Sequence, residues 1–183
     1  MRLTPRQLAR LMDLSAVRTD VDEAEVRRLA EEARRYQCIC VFAMPCYLPL
    51  LMELLADDAD VGVGGVVGFP SGAHSTAIKV AEARWQLGQG AVELDMVINV
   101  GLLRSGRHRD VEDDIRAVVQ AAEGTPVKVI LEAHYLSDQQ ITRGSKIAVK
   151  AGAAFVKTGT GWAETGATLH NVALIKSAVG DAA

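Results

Sequence analysis

A lysine at the end of a short apolar segment is the residue best placed for covalent chemistry. Residues 153–156 are apolar and follow a glycine, which is typical of a buried parallel strand, and Lys157 comes next. The small residues Thr158-Gly159-Thr160-Gly161 then leave room for a substrate. Burial favours the neutral amine of a lysine, the form that attacks carbonyl carbons. The alternative is a lysine that extends from a strand end into solvent.

A carboxylate on another predicted strand can serve this amine. Asp95 lies in the apolar segment 92–100, and because side chains alternate along a strand it shares a face with Glu93. If that face points to the interior, the charges must be paired. We expect Glu93 and Lys128 to neutralise each other. Asp95 with Lys157 is the better functional candidate, because a carboxylate beside an imine-forming amine can move protons.

The composition indicates a globular protein with one core. The chain has 183 residues, of which 49% are hydrophobic and 23% charged, with a formal net charge of −3. Charges of both signs are interspersed and aromatic residues make up only 4%, which argues against a nucleic-acid-binding protein. The sequence shows neither a membrane-length apolar run nor the long apolar core of a signal peptide. We therefore expect a cytoplasmic protein.

The residues that most often bind metals do not form a metal motif. Cys38, Cys40 and Cys46 lie within nine residues, but a zinc site needs a second ligand pair at suitable spacing. Cys38 and Cys40 lie in an apolar segment where buried, reduced thiols are ordinary, so structural cysteines are the better interpretation. The four histidines also lack ligand spacing: His74, His108, His134 and His170. We expect no metal and no cofactor, and we expect His134 to be a loop residue rather than part of a pocket.

Hydrophobic periodicity predicts alternating strands and helices. The strands fall near residues 13, 40, 65, 96, 129 and 155. The helices are predicted at 5–11, after Asp20 or Asp22, at 48–55, from Ser75 to Gly88, at 110–122, at 138–150 and from Thr168 to near Gly180. The helix after Ser75 carries Ile78, Ala81 and Trp85 on one face. This alternation predicts a parallel sheet with right-handed crossovers.

A (β/α)8 barrel fits the spacing best, although only about six of its eight βα units are present. No glycine-rich dinucleotide fingerprint and no P-loop follows a strand, and no linker marks a second domain. Barrel enzymes place function at the carboxyl ends of the strands. Those ends are Asp13, Asn99, Glu132, Lys157 and Thr158, with Asp95 in mid-strand.

Five motifs, in order along the chain, carry a resemblance to a known family. They are Met12-Asp13-Leu14, Val67-Gly68-Phe69-Pro70-Ser71-Gly72, Glu93-Leu94-Asp95-Met96-Val97-Ile98-Asn99, Val127-Lys128-Val129-Ile130-Leu131-Glu132 and Phe155-Val156-Lys157-Thr158-Gly159-Thr160-Gly161. These stretches closely resemble motifs of the deoxyribose-phosphate aldolase family. The similarity runs from about residue 8 to the end of the chain.

The resemblance implies a class I aldolase on a (β/α)8 barrel. It implies that Lys157 forms the Schiff base and that Asp95 relays protons. The expected reaction is cleavage of 2-deoxyribose 5-phosphate to acetaldehyde and glyceraldehyde 3-phosphate, without a metal, by an enzyme that forms homo-oligomers. As substrate contacts we expect strand-end residues and the loop after the lysine: Asp13, Asn99, Thr158, Thr160 and Gly161.

The chain departs from the family pattern at several positions. Residues 40–45, Cys-Val-Phe-Ala-Met-Pro, are longer than the family's Cys-Val-Asn-Pro. Ala133-His134 stands where members often have Thr-Cys or Thr-Gly, and Trp162 where some carry a phosphate-contacting lysine. The family's second active-site lysine and the phosphate loops of its last two strands would lie beyond Ala183.

Two alternatives to this function stay open. One is a related imine-forming aldolase for another sugar phosphate, and the other is a non-catalytic barrel fragment that associates with other chains. We expect residues 1–183 to be one barrel domain truncated before its last two strands. Open sheet edges and exposed core favour association, so these residues alone are expected to be poorly active and prone to associate.

Overall fold

The computed structural model describes residues 3–182. Tertiary contacts divide the chain into two compact units, the first running to Val66 and including Trp85–Glu93, the second comprising Val67–Arg84 and the chain from Leu94 onward. The strands are β1 Asp13–Ala16, β2 Cys40–Ala43, β3 Gly62–Val67, β4 Leu94–Val97, β5 Val127–Ile130 and β6 Phe155–Lys157. The helices are α1 Pro5–Ala9, α2 Glu23–Tyr36, α3 Leu48–Leu54, α4 Thr76–Gly88, α5 Val100–Arg104, α6 His108–Ala121, α7 Asp138–Lys150 and α8 Leu169–Val179. Short 3₁₀ turns occupy Pro45–Tyr47 and Ala133–Tyr135.

The first unit is a parallel sheet in the order β1-β2-β3, with α2 packed on β1 and β2. Asp13 is opposite Cys40 in the register, and Cys40 is opposite Gly62. The α2 helix is capped by Asp22, whose side chain accepts a hydrogen bond from the backbone nitrogen of Glu25 at 2.8 Å. The apolar face of α2 then lies against the sheet and α3, so this unit has its own hydrophobic core.

A side chain extends the hydrogen bonding of β3. The Gln86 amide oxygen accepts from the Val66 backbone nitrogen at 2.8 Å, and its nitrogen donates to the Val66 carbonyl at 2.7 Å. Both polar backbone groups of a buried strand residue are thus satisfied by one amide.

The second unit contains the parallel strands β4-β5-β6 and the helices α5 to α8. Register places Asp95 opposite Lys128, and Ile130 opposite Lys157. The α7 helix begins with a capping box between Ser137 and Gln140 and packs against α5, α6 and α8. Apolar side chains of β5 and of these helices are buried, which fixes the strand ends that carry the polar residues.

The predicted alternation of strands and helices is confirmed, including the Asp22 and Thr168 caps and the bounds of α7. Two features differ from the sequence prediction. The strand predicted at 92–100 ends at Val97, because Asn99 caps the additional short helix α5. Among residues 3–182, no helix is long and apolar enough to cross a membrane.

The second difference concerns α4. The side chains predicted to share one face, Ile78, Ala81 and Trp85, are exposed, whereas Lys79 and Gln86 are buried. The buried polar groups are tolerated because each has strong hydrogen-bond partners. The apolar side chains that share one face of this helix therefore do not form the face that packs into the core.

Candidate active site

Two charged side chains meet at the sheet of the second unit. Lys157 ends β6 and Asp95 lies on β4, the two strands that flank β5. The Lys157 amine forms an ion pair with Oδ2 of Asp95. The Asp95 side chain is only 5% exposed, whereas Lys157 is 32% exposed. The predicted pair is therefore brought together, with a carboxylate on the protein side and an amine that a solute can reach.

The loop that follows Lys157 is tied to the end of β5 by backbone hydrogen bonds. The Leu131 nitrogen donates to the Lys157 carbonyl at 3.0 Å, and the Ala133 nitrogen donates to the Thr158 carbonyl at 2.8 Å. The carbonyls of both residues are thus fixed by the segment of chain immediately after β5.

Glu132 lies between those two donors and binds the same loop through its side chain. Its Oε1 accepts a hydrogen bond from the Thr160 nitrogen at 3.3 Å, and its Oε2 accepts one from the Thr160 hydroxyl. A Cβ at position 159 would lie 2.8 Å from Oε1 of Glu132, so a side chain there would displace this carboxylate from its contact with the loop. The sequence placed Glu132 at a strand end but assigned it no role, and its buried contact with Thr160 leaves no local sequence signal.

The remaining predicted contacts have structural partners of their own. The Asn99 side chain caps α5, accepting from the Leu102 nitrogen at 3.0 Å. Gly161 adopts φ +85°, and the hydroxyl of Thr160 accepts from the Trp162 nitrogen at 3.0 Å. Asp13 is the first residue of β1, in the first unit, so it lies at the amino end of its strand and its predicted place at the carboxyl end is wrong.

A buried ion pair that the sequence analysis did not identify supports the end of β4. The Lys79 amine lies 2.7 Å from Oδ2 of Asp114 and donates to the Val97 carbonyl at 3.0 Å. The hydroxyl of Thr76 donates to Oδ1 of Asp114 at 2.7 Å. The ion pair thus joins α4, α6 and the strand that carries Asp95.

The loop after β3 packs closely on the same strand end. Gly72 has φ +68°, and a Cβ there would lie 2.0 Å from the Ile98 carbonyl oxygen, so glycine is needed at this position. In the same loop, the Phe69 ring meets the Trp162 indole edge to face, with centroids 6.2 Å apart. The loops after β3 and β6 therefore touch through an aromatic pair.

Other polar side chains of the second unit, and one cleft, have contacts of their own. Lys128 is buried, with its amine 5.5 Å from the centroid of the Phe155 ring. Nδ1 of His134 lies 2.8 Å from the hydroxyl of Thr165, which places this histidine in a loop contact. A cleft of about 520 Å³ on α6 and α7 has none of the predicted site residues in its lining. Within residues 3–182, no group of three or more His, Cys, Asp or Glu side chains is arranged to hold a metal ion.

Comparison with known proteins identifies relatives over almost the whole chain. Residues 8–183 match the family described as DeoC/LacD family aldolase. The chain is 49% identical over 177 residues to a deoxyribose-phosphate aldolase of Klebsiella pneumoniae, covering 96% of this chain and 71% of that protein. It is 50% identical over 173 residues to one of Sinorhizobium medicae, covering 94% and 70%.

A solved structure supports the fold. The chain matches a deoxyribose phosphate aldolase from Aeropyrum pernix, described as tetrameric, with a TM-score of 0.88 and 31% identity over 98% of this chain and 75% of that one. This likeness confirms the predicted fold class, which is α/β of the (β/α)8-barrel type with about six of the units.

Proposed function

The chain belongs to the DeoC/LacD family of aldolases, and we propose that it cleaves 2-deoxy-D-ribose 5-phosphate to acetaldehyde and D-glyceraldehyde 3-phosphate through a Schiff base on Lys157. The observation that carries this proposal is the contact between the amine of Lys157 and the buried carboxylate of Asp95. The relatives' activity supports the choice of substrate.

The first half of the reaction forms an electron sink. The neutral amine of Lys157 attacks C1 of the open-chain sugar, and the resulting carbinolamine loses water to give an iminium ion. Loss of the proton from the C3 hydroxyl then breaks the C2–C3 bond, whose electron pair moves into the iminium. Glyceraldehyde 3-phosphate leaves, and an enamine remains on the lysine.

The second half returns the enzyme to its starting state. The enamine takes up a proton at C2 to become the iminium of acetaldehyde, and water hydrolyses that iminium to acetaldehyde and the free amine. Asp95 contacts the amine and is the nearest carboxylate for these transfers, directly or through water. Asn99, Thr158, Thr160 and Gly161 remain our proposed substrate contacts, and Asp13 of the first unit stays a prediction from the sequence.

Borohydride trapping tests the assignment. The protein is incubated with acetaldehyde and sodium borohydride, and the reduced adduct is located by peptide mass mapping. We expect an ethyl group on Lys157. Adducts on Lys128 or on the exposed Lys146, with Lys157 unmodified, would exclude Lys157 as the imine-forming residue. Assaying 2-deoxyribose 5-phosphate beside other sugar phosphates separates the proposed reaction from that of a related aldolase.

We also infer that the chain associates with copies of itself. The description of the Aeropyrum pernix relative as tetrameric supports this inference. Sedimentation equilibrium should give the mass of two or more chains of 19.6 kDa each. A monomer at all concentrations would contradict the inference.

A further inference from the structure

Glu132 combines two features that rarely occur together. Its backbone is left-handed, with φ 53° and ψ 59°, a conformation that few residues other than glycine, asparagine and aspartate adopt. Its side chain is a buried carboxylate. Such a backbone persists only where the surroundings hold it, and in proteins it is concentrated at functional sites.

The contacts around Glu132 all lead to one segment. The backbone nitrogens on either side of it, those of Leu131 and Ala133, hold the carbonyls of Lys157 and Thr158. The carboxylate holds both the nitrogen and the hydroxyl of Thr160. The left-handed turn at Glu132 therefore directs three consecutive residues of one chain segment toward the segment that begins at Lys157.

We propose that Glu132 is a positioning residue for Lys157, and this inference rests on the proposed Schiff-base function. Its carboxylate holds the loop of residues 158–161 in the shape that directs the Lys157 amine toward the substrate carbonyl. It acts through the reach of its side chain and the hydrogen bonds it accepts, and it transfers no proton. Small displacements of a reacting group are costly, because about 1 Å of misplacement can reduce the rate roughly 100-fold.

Three substitutions of Glu132 separate the effect of side-chain length from the effect of charge. Glu132→Gln keeps the length, and its amide can accept from the Thr160 nitrogen and donate to the Thr160 hydroxyl. Glu132→Asp keeps the charge but is one methylene shorter, about 1.5 Å, so it cannot reach the loop. Glu132→Gly removes the side chain while accepting the left-handed backbone without strain, which protects the fold of the variant.

The kinetic experiment measures kcat, KM and the rate of borohydride trapping on Lys157 with acetaldehyde. We expect Glu132→Gly and Glu132→Asp to lower kcat and the trapping rate roughly 10- to 100-fold, with KM changed less. Glu132→Gln should retain most of both rates. Thr160→Val should reproduce the loss, and the double variant Glu132→Gly/Thr160→Val should lose no more than either single one, because both changes remove one interaction.

A second measurement does not depend on the reaction. Amide hydrogen exchange at Thr160 should become faster in Glu132→Gly than in Glu132→Gln, while the exchange of α7 stays unchanged. If the wild-type chain shows no aldol cleavage but Thr160 exchange responds, the proposed function fails and the contact between Glu132 and the loop stands. If the wild-type enzyme is active, equal trapping rates in Glu132→Gly and wild type overturn the positioning role. A Gln variant as impaired as the Gly variant also overturns it, because charge would then be required.

Discussion

The amine of Lys79 lies 2.7 Å from the carboxylate of Asp114, with side-chain exposures of 0% and 4%. Two such charges are expensive to remove from water unless further hydrogen bonds satisfy them. Here the Val97 carbonyl and the Thr76 hydroxyl provide those bonds. This arrangement joins two helices to the strand of Asp95, so its loss should affect both stability and the site.

Removing one member of this ion pair should destabilise the fold far more than removing both. We expect Lys79→Met to lower the free energy of unfolding by about 3–5 kcal/mol, because it leaves Asp114 buried and unpaired. The double variant Lys79→Met/Asp114→Leu should recover most of that loss. Urea unfolding at pH 7 measures both variants. A double variant no more stable than the single one would show that the ion pair is not the source of the effect.

Asp95→Asn should preserve the fold but remove most of the turnover. Loss of a positioned acid–base group lowers rates by about 10²–10⁴-fold. Asp113→Asn is a matched control, because Asp113 is an exposed aspartate on α6. Steady-state assays of retro-aldol cleavage give the rates, and thermal melting shows whether the loss of charge beside Lys157 has altered stability. Near-wild-type turnover in Asp95→Asn would assign the proton transfer to another group.

Gly72→Ala should destabilise the loop after β3. The left-handed backbone alone costs an alanine about 1–2 kcal/mol, and the added methyl would overlap the Ile98 carbonyl. Gly101→Ala is the control, because Gly101 lies in α5, where the nearest atom to an added Cβ is 3.5 Å away. That change should leave stability equal or higher. Comparable denaturation midpoints for the two variants would contradict the overlap.

Stability should depend on pH through Glu112. Hydrogen bonds from Lys150 and Arg116 lower the pKa of this glutamate, so its proton binds less readily in the folded chain than in the unfolded one. Its contribution is therefore fully present above the ordinary pKa of about 4.3 and is lost as the pH falls through the lower folded value. Glu112→Gln should be less stable than wild type at pH 7 and equal to it near pH 2.

A matched control isolates this ionisation. Glu31→Gln, which replaces an exposed glutamate on α2, should show no comparable pH-dependent difference. Urea midpoints across pH 2–7 provide the comparison, and a difference for Glu112→Gln that persists undiminished at the lowest pH would mean that ionisation is not its source.

The three cysteines should differ in reactivity. Cys46 is exposed, whereas Cys38 and Cys40 are buried, and burial raises the pKa of the Cys38 thiol. A thiol reacts as the thiolate, so a raised pKa moves its reaction to higher pH. Iodoacetamide at pH 8 should modify Cys46 first, with all three cysteines modified in urea. Mass mapping that finds Cys38 alkylated as fast as Cys46 in the native protein would contradict this order.

Sequence reasoning located the pair Lys157 and Asp95 because two regular features reinforce each other. Strand alternation identifies which side chains share a face, and parallel βα units bring the strand ends together. Neither feature depends on side-chain detail. The assignment of substrate contacts to Asn99 and Thr160 stays a prediction, and both side chains also stabilise local structure.

The residues that support the site, Lys79, Asp114 and Glu132, could not be found in the same way. Lys79 and Asp114 are 35 residues apart, and each is an ordinary polar residue of an amphipathic helix until the fold brings them together. The left-handed backbone of Glu132 is equally hidden, since glutamate has no preference for that conformation. The exposed Ile78 and Trp85 show the reverse case, in which large apolar side chains face outward while the polar Lys79 and Gln86 of the same helix are buried.

The edge-to-face contact between Phe69 and Trp162 places an intrinsic fluorescence probe in the second unit. Trp162 is 45% exposed and belongs to the loop that begins after Lys157, so any rearrangement of that loop changes the polarity around its ring. The other tryptophan, Trp85, is on α4, and Trp85→Phe would leave Trp162 as the single tryptophan. Stopped-flow fluorescence of that variant would then report any rearrangement of this loop when an aldehyde is added, without any label attached to the protein.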